Sequence, residues 1–104
     1  MWRKTRSVNY VRNGRICYGV DANRNFDFHW SRYGSSFWKC SEVYHGSHAF
    51  SEPETKALSD FLMKNRHDII AFFSLHAYSQ FWLVPYGHRE DDVPEDLPEL
   101  VSQT

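Results

Sequence analysis

A helix-start signature and an uninterrupted apolar run stand close together in this chain, and their succession limits the available folds more than any other feature. Ser51-Glu52-Pro53-Glu54 offers a capping hydroxyl and a glutamate placed to complete a capping box. Its proline sits in the first turn, where the missing N–H is harmless. Ala57, Leu58, Phe61, Leu62 and Asn65 follow at helical spacing, and Lys64, Arg66 and His67 suit the negative end of the helix dipole. A helix from about Ser51 to Asn65 with one buried face is expected. Ile69-Ile70-Ala71-Phe72-Phe73-Ser74-Leu75 comes next and reads as a strand buried on both faces. A second run, Phe81 to Val84, ends at Pro85-Tyr86-Gly87.

Upstream, Asn13-Gly14 signals a turn, and Ile16 to Val20 reads as a strand that delivers Asp21, Asn23, Arg24 and Asn25 to a loop at its end. Residues 26–50 have no clear period and read as an ordered, irregular excursion across a surface. Strand, excursion, helix, strand is the order of an α/β sheet with helical crossovers. In such sheets ligands bind at the carboxyl ends of strands. One such end carries Asp21, Asn23, Arg24 and Asn25, and the other carries His76, Tyr78 and Ser79.

An Arg and an Asn on one loop suit a carboxylate: the guanidinium gives a two-point fork and the amide adds a donor. A bland alternative makes Arg24 a surface ion-pair partner of Asp21. His76 could ligate a metal or move protons; the alternative is a hydrogen-bonded structural residue. His45-x-x-His48 is read as structural, because Gly46 lies between the two in an irregular segment.

Charge narrows the partners. Twelve Lys and Arg against thirteen Asp and Glu leave a formal charge of −1, which makes no whole-chain case for nucleic acid or a membrane surface. Ile69 to His88 has no charged residue and the length of a membrane span, but Ser74, His76, Ser79, Gln80, Pro85 and Gly87 interrupt it. Acidic residues gather in 89–104 with Pro94 and Pro98, giving a solvated loop or frayed end. Eight Phe, six Tyr and four Trp exceed what a small core hides, so some face other protein or a ligand. Phe26, Phe28, Trp30, Phe37 and Trp38 are expected in the core or in a layer covering it. Cys17 and Cys40, with 22 residues between them, are either free thiols or one disulfide. A bridge over such a loop stabilises a fold by ~3 kcal/mol in the chain-entropy view.

Five blocks, taken in order, resemble one family. Met1-Trp2-Arg3-Lys4-Thr5-Arg6-Ser7, Gly19-Val20-Asp21-Ala22-Asn23-Arg24-Asn25-Phe26, Cys40-Ser41-Glu42-Val43-Tyr44-His45-Gly46, Phe50-Ser51-Glu52-Pro53-Glu54 and Ser74-Leu75-His76-Ala77-Tyr78-Ser79-Gln80 are similar to segments of the zinc carboxypeptidases of the carboxypeptidase A/B type. The resemblance continues through Pro85-Tyr86-Gly87.

It implies part of a mixed, mostly parallel sheet with helices packed on it, and a zinc-dependent exopeptidase acting on peptide C-termini. His76 corresponds to the third zinc ligand, and Arg3 to the arginine that polarises the scissile carbonyl and stabilises its oxyanion. Asn23 and Arg24 correspond to the pair that grips the terminal carboxylate. Tyr78 corresponds to a tyrosine lining the cleft, and Ala77 stands where the family often has Ser. Cys17 and Cys40 correspond to a disulfide pair, which implies secretion.

The chain also departs from the family. The first two zinc ligands form a His-x-x-Glu motif that occurs nowhere in the 104 residues. The general-base glutamate, the substrate-capping tyrosine and the residue setting substrate preference lie downstream of the matched region. Met1 falls where the family has an internal Met. Residues 1–104 are therefore expected to be a middle slice of a longer catalytic domain, inactive alone. Two alternatives are a non-catalytic module binding peptide C-termini through Asn23, Arg24 and Arg3, and a fragment without a stable fold, its sheet edges unpaired and its aromatics bare.

Overall fold

The computed structural model describes residues 1–89 and 91–102. The chain divides into two compact units, Met1–Ile70 and Ala71–Thr104.

The first unit opens with an antiparallel hairpin of β1 (Val8–Tyr10) and β2 (Ile16–Tyr18), in the register Val8↔Tyr18, Asn9↔Cys17 and Tyr10↔Ile16. Its turn is the expected Asn-Gly pair. Asn13 and Gly14 take φ of 69° and 72°, the left-handed conformation that matches a tight turn to the twist of its strands. Cys17 faces inward and is buried, whereas Val8, Tyr10, Ile16 and Tyr18 on the other face are exposed.

β2 stops at Tyr18, short of the expected Val20, because the chain bends at Gly19 (φ 75°). A Cβ there would collide with the Thr5 carbonyl oxygen. Pairing nevertheless continues past the bend: Gly19 N donates to Ser7 O (2.7 Å) and Thr5 N to Val20 O (2.8 Å). The segment carrying Arg3 is thereby tied to the one leading into Asp21.

Residues 26–50 form the ordered, irregular excursion expected. Asp21 N donates to Tyr44 O (2.8 Å), Ser36 N to Val43 O (2.9 Å) and His45 N to Ser36 O (3.1 Å). A Cys17–Cys40 disulfide, with Cα atoms 5.1 Å apart, fastens the hairpin to this excursion. The aromatics expected in the core divide: Phe26 and Trp30 are half-buried, while Phe28, Phe37 and Trp38 are exposed. Phe26 packs edge-on against Phe50, and Trp30 against the His45 ring.

Helix α1 (Pro53–Asn65) agrees with the expected helix at its C-terminus, but its start differs. Glu52 is the N-cap residue, and no side-chain cap bond forms. Ser51 Oγ accepts from Asn25 Nδ2 and donates to Glu52 Oε2, so the predicted capping box gives way to tertiary bonds. The expected buried face is only partly covered: Ala57, Leu58 and Phe61 are exposed, Leu62 and Asn65 are half-buried, and Thr55 is the buried residue of the helix among those described.

Within the second unit, residues 71–75 are not in a strand and their side chains are exposed, Leu75 at 98%. Residues 69 and 70, which end the first unit, are likewise outside any strand. The sheet among the described residues is the two-stranded antiparallel hairpin, not a mostly parallel one. An apolar strand needs neighbours to bond its backbone and cover both faces, and the described strands are only the hairpin pair.

In the acidic segment 89–104, expected as a solvated loop or frayed end, Leu97–Ser102 forms a short helix, α2. Pro98 and Glu99 in its first turn suit a helix start. Glu90, Gln103 and Thr104 of that segment lie outside the described residues. Arg89 bonds Asp91 through two N–H groups and holds its carboxyl below the usual range. No helix among the described residues is long and apolar enough to cross a membrane.

Candidate functional site: an anchoring loop on a polar kernel

The interior of the first unit is built on polar groups. Asn25 and Asp21 are its largest fully buried side chains, at 0% and 2% exposure. Buried polar groups persist only when hydrogen-bonded, and both are. Asp21 caps the 3-10 turn Ala22–Arg24, its Oδ1 accepting from Asn23 N (3.1 Å). Its Oδ2 accepts from Arg3 Nε at 2.9 Å. The alternative partner of Asp21 considered from sequence, Arg24, bonds elsewhere. Arg24 Nε donates to Gly34 O (2.8 Å) and Nη1 to Asn23 O (3.1 Å).

Asp21 therefore organises Arg3 and the Asn23/Arg24 turn together. The Arg3 side chain remains 45% exposed while its carboxylate partner is buried. That geometry holds a guanidinium at a fixed place with surface still available to a ligand.

Asn25 fixes the far end of the turn. Its amide nitrogen faces His45 O (2.9 Å), Ser51 Oγ (2.9 Å) and His48 O (3.2 Å). Its Oδ1 accepts from Thr55 Oγ1 (2.6 Å) and Glu52 N (3.2 Å), both at the start of α1. Gly46 makes room for this knot: at φ 89°, a Cβ there would overlap Ser51 Oγ and lie 2.6 Å from Asn25 Nδ2.

His45 is structural, as expected. It is buried, its Nδ1 lies against Gly46 O (2.9 Å) and its Nε2 against Ser31 Oγ (3.2 Å). Lys4 is buried too, with Nζ donating to Lys39 O (3.0 Å) and lying 5.7 Å from the Tyr44 ring centroid. Burial pushes the Lys4 ammonium below its ordinary pKa, with Glu42 and Asp21 pulling the other way. Burial, helped by the Glu52 charge, pushes the Tyr44 phenol up.

Sequence reasoning missed Glu52 as a buried acceptor. Its Oε1 accepts from Thr5 Oγ1 (2.5 Å) and Ser7 Oγ (2.6 Å). The hydroxyls of Thr5 and Ser7, at alternate positions beside Arg3, were the available signal.

The remaining predicted residues belong to the second unit. His76 Nε2 lies 2.9 Å from Ser74 Oγ, and His76, Ala77 and Tyr78 are exposed. A catalytic zinc takes three protein ligands. Among the described residues no three His, Cys, Asp or Glu side chains gather into a metal-holding group, so these residues do not by themselves fit a zinc site.

A buried carboxylate ordering one arginine and an Asn-Arg turn is suited to gripping a small anionic group, and comparison with known proteins gives the family of the chain. The family model described as zinc carboxypeptidase matches residues 1–103, and the chain belongs to that family. Zinc carboxypeptidase A 1 of Anopheles gambiae is 47% identical over 100% of this chain and 24% of its own length. Carboxypeptidase B of Bos taurus is 49% identical over 96% of this chain and 23% of its own. The solved bovine thrombin-activatable fibrinolysis inhibitor, in complex with tick carboxypeptidase inhibitor, superposes with a TM-score of 0.84 at 44% identity. It covers 96% of this chain and 33% of that one. The chain thus spans about a quarter of the length of these two relatives.

Proposed function

We propose that this chain forms the substrate-anchoring part of a zinc-dependent exopeptidase that releases the C-terminal amino acid of peptides. The observation that carries this reading is the Arg3–Asp21 pair beside Asn23 and Arg24 in one short turn. A free C-terminal carboxylate is planar and anionic, so the Arg24 fork and the Asn23 amide match it. Arg3 stabilises the charge that develops on the scissile carbonyl oxygen. A guanidinium fixed beforehand needs no reorganisation as that charge appears.

His76 contributes one ligand to the family's zinc, Tyr78 and Ala77 line the cleft, and the other ligands and the general base come from residues outside 1–104. In the complete domain, residues 69–75 join a mixed, mostly parallel sheet with helices packed on it. The Cys17–Cys40 disulfide supports an oxidising, extracellular setting.

The test is hydrolysis of a blocked dipeptide and its C-terminally amidated twin by protein made from the full-length transcript. Release from the free acid alone is expected. Arg24→Ala raises KM, and Arg3→Ala lowers kcat by about a hundredfold or more, the scale of a lost oxyanion donor. The isolated 104 residues release nothing. Equal turnover of the amidated twin, or release by the isolated chain, refutes the proposal.

A further inference from the structure

Both arms of the anchoring site are measured from one place, the first turn of α1. Glu52 sits in the N-cap position and is buried. Its carboxylate takes the Thr5 and Ser7 hydroxyls on Oε1, and Thr5 Oγ1 in turn accepts from Val20 N (2.9 Å). Thr5 is two residues from Arg3, and Val20 immediately precedes Asp21, the residue that Arg3 bonds. This arm therefore runs from Glu52 through two hydroxyls to the Arg3 guanidinium.

The second arm begins one bond away. Glu52 N and Thr55 Oγ1 donate to Asn25 Oδ1, and Asn25 directly follows Asn23-Arg24. The Asn25 backbone also closes that turn, with N donating to Ala22 O (3.2 Å).

We infer that Glu52 and Asn25 are positioning residues that act as a gauge: Glu52 sets the Arg3 arm and Asn25 sets the Asn23/Arg24 arm, each from the same helix end. The inference rests on the exopeptidase reading only for what the two arms hold. The geometry that couples each arm to α1 stands apart from it. Neither residue touches substrate. Each decides where a guanidinium stands, and a misplacement of ~1 Å at a reacting group can cost ~100-fold in rate.

The two arms make opposite demands on a pair of reporters. Arg3 Nε–H donates to Asp21 and Arg24 Nε–H donates to Gly34 O, so the two resonances and their solvent exchange can be followed separately by ¹⁵N NMR in the 104-residue chain. Ser7→Ala removes one of the two hydroxyls on Glu52 Oε1 and leaves the Glu52 Oε2 bond to Ser51 in place. It is expected to shift the Arg3 Nε–H and speed its exchange about tenfold or more, with Arg24 unmoved. Thr5→Val, which removes the other hydroxyl on the same arm, shifts it in the same direction and serves if Ser7→Ala is too mild to read. Thr55→Val removes one bond to Asn25 and is expected to move the Arg24 reporter and spare Arg3.

General destabilisation speeds both reporters together. That outcome, or movement of neither, overturns the gauge.

In the full-length enzyme the same split appears in kinetics, with kcat per active site falling for Ser7→Ala and KM rising for Thr55→Val. If the wild-type enzyme releases no C-terminal residue while the two reporters still respond separately, the exopeptidase reading fails and the gauge stands. If release is normal and the reporters move together, the gauge alone fails.

Discussion

Replacing Asn25 by alanine is the most informative single perturbation of the first unit. Five hydrogen-bond partners surround its amide, but they are not stranded equally. His45 O keeps a bond from Trp30 Nε1 (2.9 Å), Thr55 Oγ1 keeps Glu52 O (3.0 Å), and Ser51 Oγ keeps Glu52 Oε2 (3.1 Å). The His48 carbonyl keeps Ser51 N (3.2 Å), so the Glu52 N–H is the group that loses its partner. Each buried polar group left unpaired costs roughly 1–3 kcal/mol. Asn25→Ala should therefore destabilise the unit by about 1–3 kcal/mol, against the roughly 5–15 kcal/mol that holds a domain.

Urea unfolding followed by tryptophan emission reads this directly, because Trp30 packs 4.5 Å from the His45 ring beside the lost bonds. Asn23→Ala, at an exposed neighbour in the same turn, is the control and should stay within about 0.5 kcal/mol of wild type. A midpoint shift for Asn25→Ala no greater than that of the control would mean that water or rearrangement serves these groups equally well. The account of Asn25 as the knot would then be wrong.

Other expectations are as concrete. Gly46→Ala combines left-handed strain of roughly 1–2 kcal/mol with overpacking of roughly 1–3 kcal/mol, and thermal melting should show a loss of that combined size. Replacing Cys17 and Cys40 together by Ser removes a link across a sequence separation of 23 residues. It should cost about 3 kcal/mol in the same urea experiment; no loss on reduction of the wild type would contradict it. Lys4 and Tyr44 set opposite trends on the alkaline side. Below its ordinary pKa of 10.5 the unfolded chain holds the Lys4 proton that the folded chain has begun to release, so stability gains from Lys4 as pH rises through that window. Tyr44 keeps its proton longer when folded, so its contribution is present below 10.0 and lost above it. Denaturation midpoints across that range should lose the rise in Lys4→Met and the later fall in Tyr44→Phe.

Local chemistry was the legible part of this sequence. The Asn13-Gly14 turn, the C-terminal end of α1 and the ordered excursion all follow from residue conformational preference and spacing. The order of five blocks gave the family, which the family model bears out over residues 1–103. What could not be read was tertiary. Ser51 has the chemistry of a cap, but Asn25 and Glu52 engage its hydroxyl, and no local pattern announces a partner 26 residues away. Asp21 sits three residues from Arg24 yet pairs with Arg3 across 18 residues, because the pairing beyond Gly19 brings the first segment alongside. The apolar runs at 69–75 and on α1 predicted burial from composition alone, whereas burial depends on a covering surface, and those side chains are largely exposed.

The kernel of Asn25, Asp21, Glu52 and Thr55 has a calorimetric consequence. Exposing hydrocarbon to water raises the heat capacity of unfolding, while exposing amides, carboxylates and hydroxyls lowers it. The buried apolar side chains of the described residues come down to Cys17, Val20 and Tyr44. Unfolding should therefore show a heat-capacity increment below the ~12–15 cal/mol/K per residue of ordinary domains. Its free-energy curve against temperature should be shallow, changing little between a cold room and body heat.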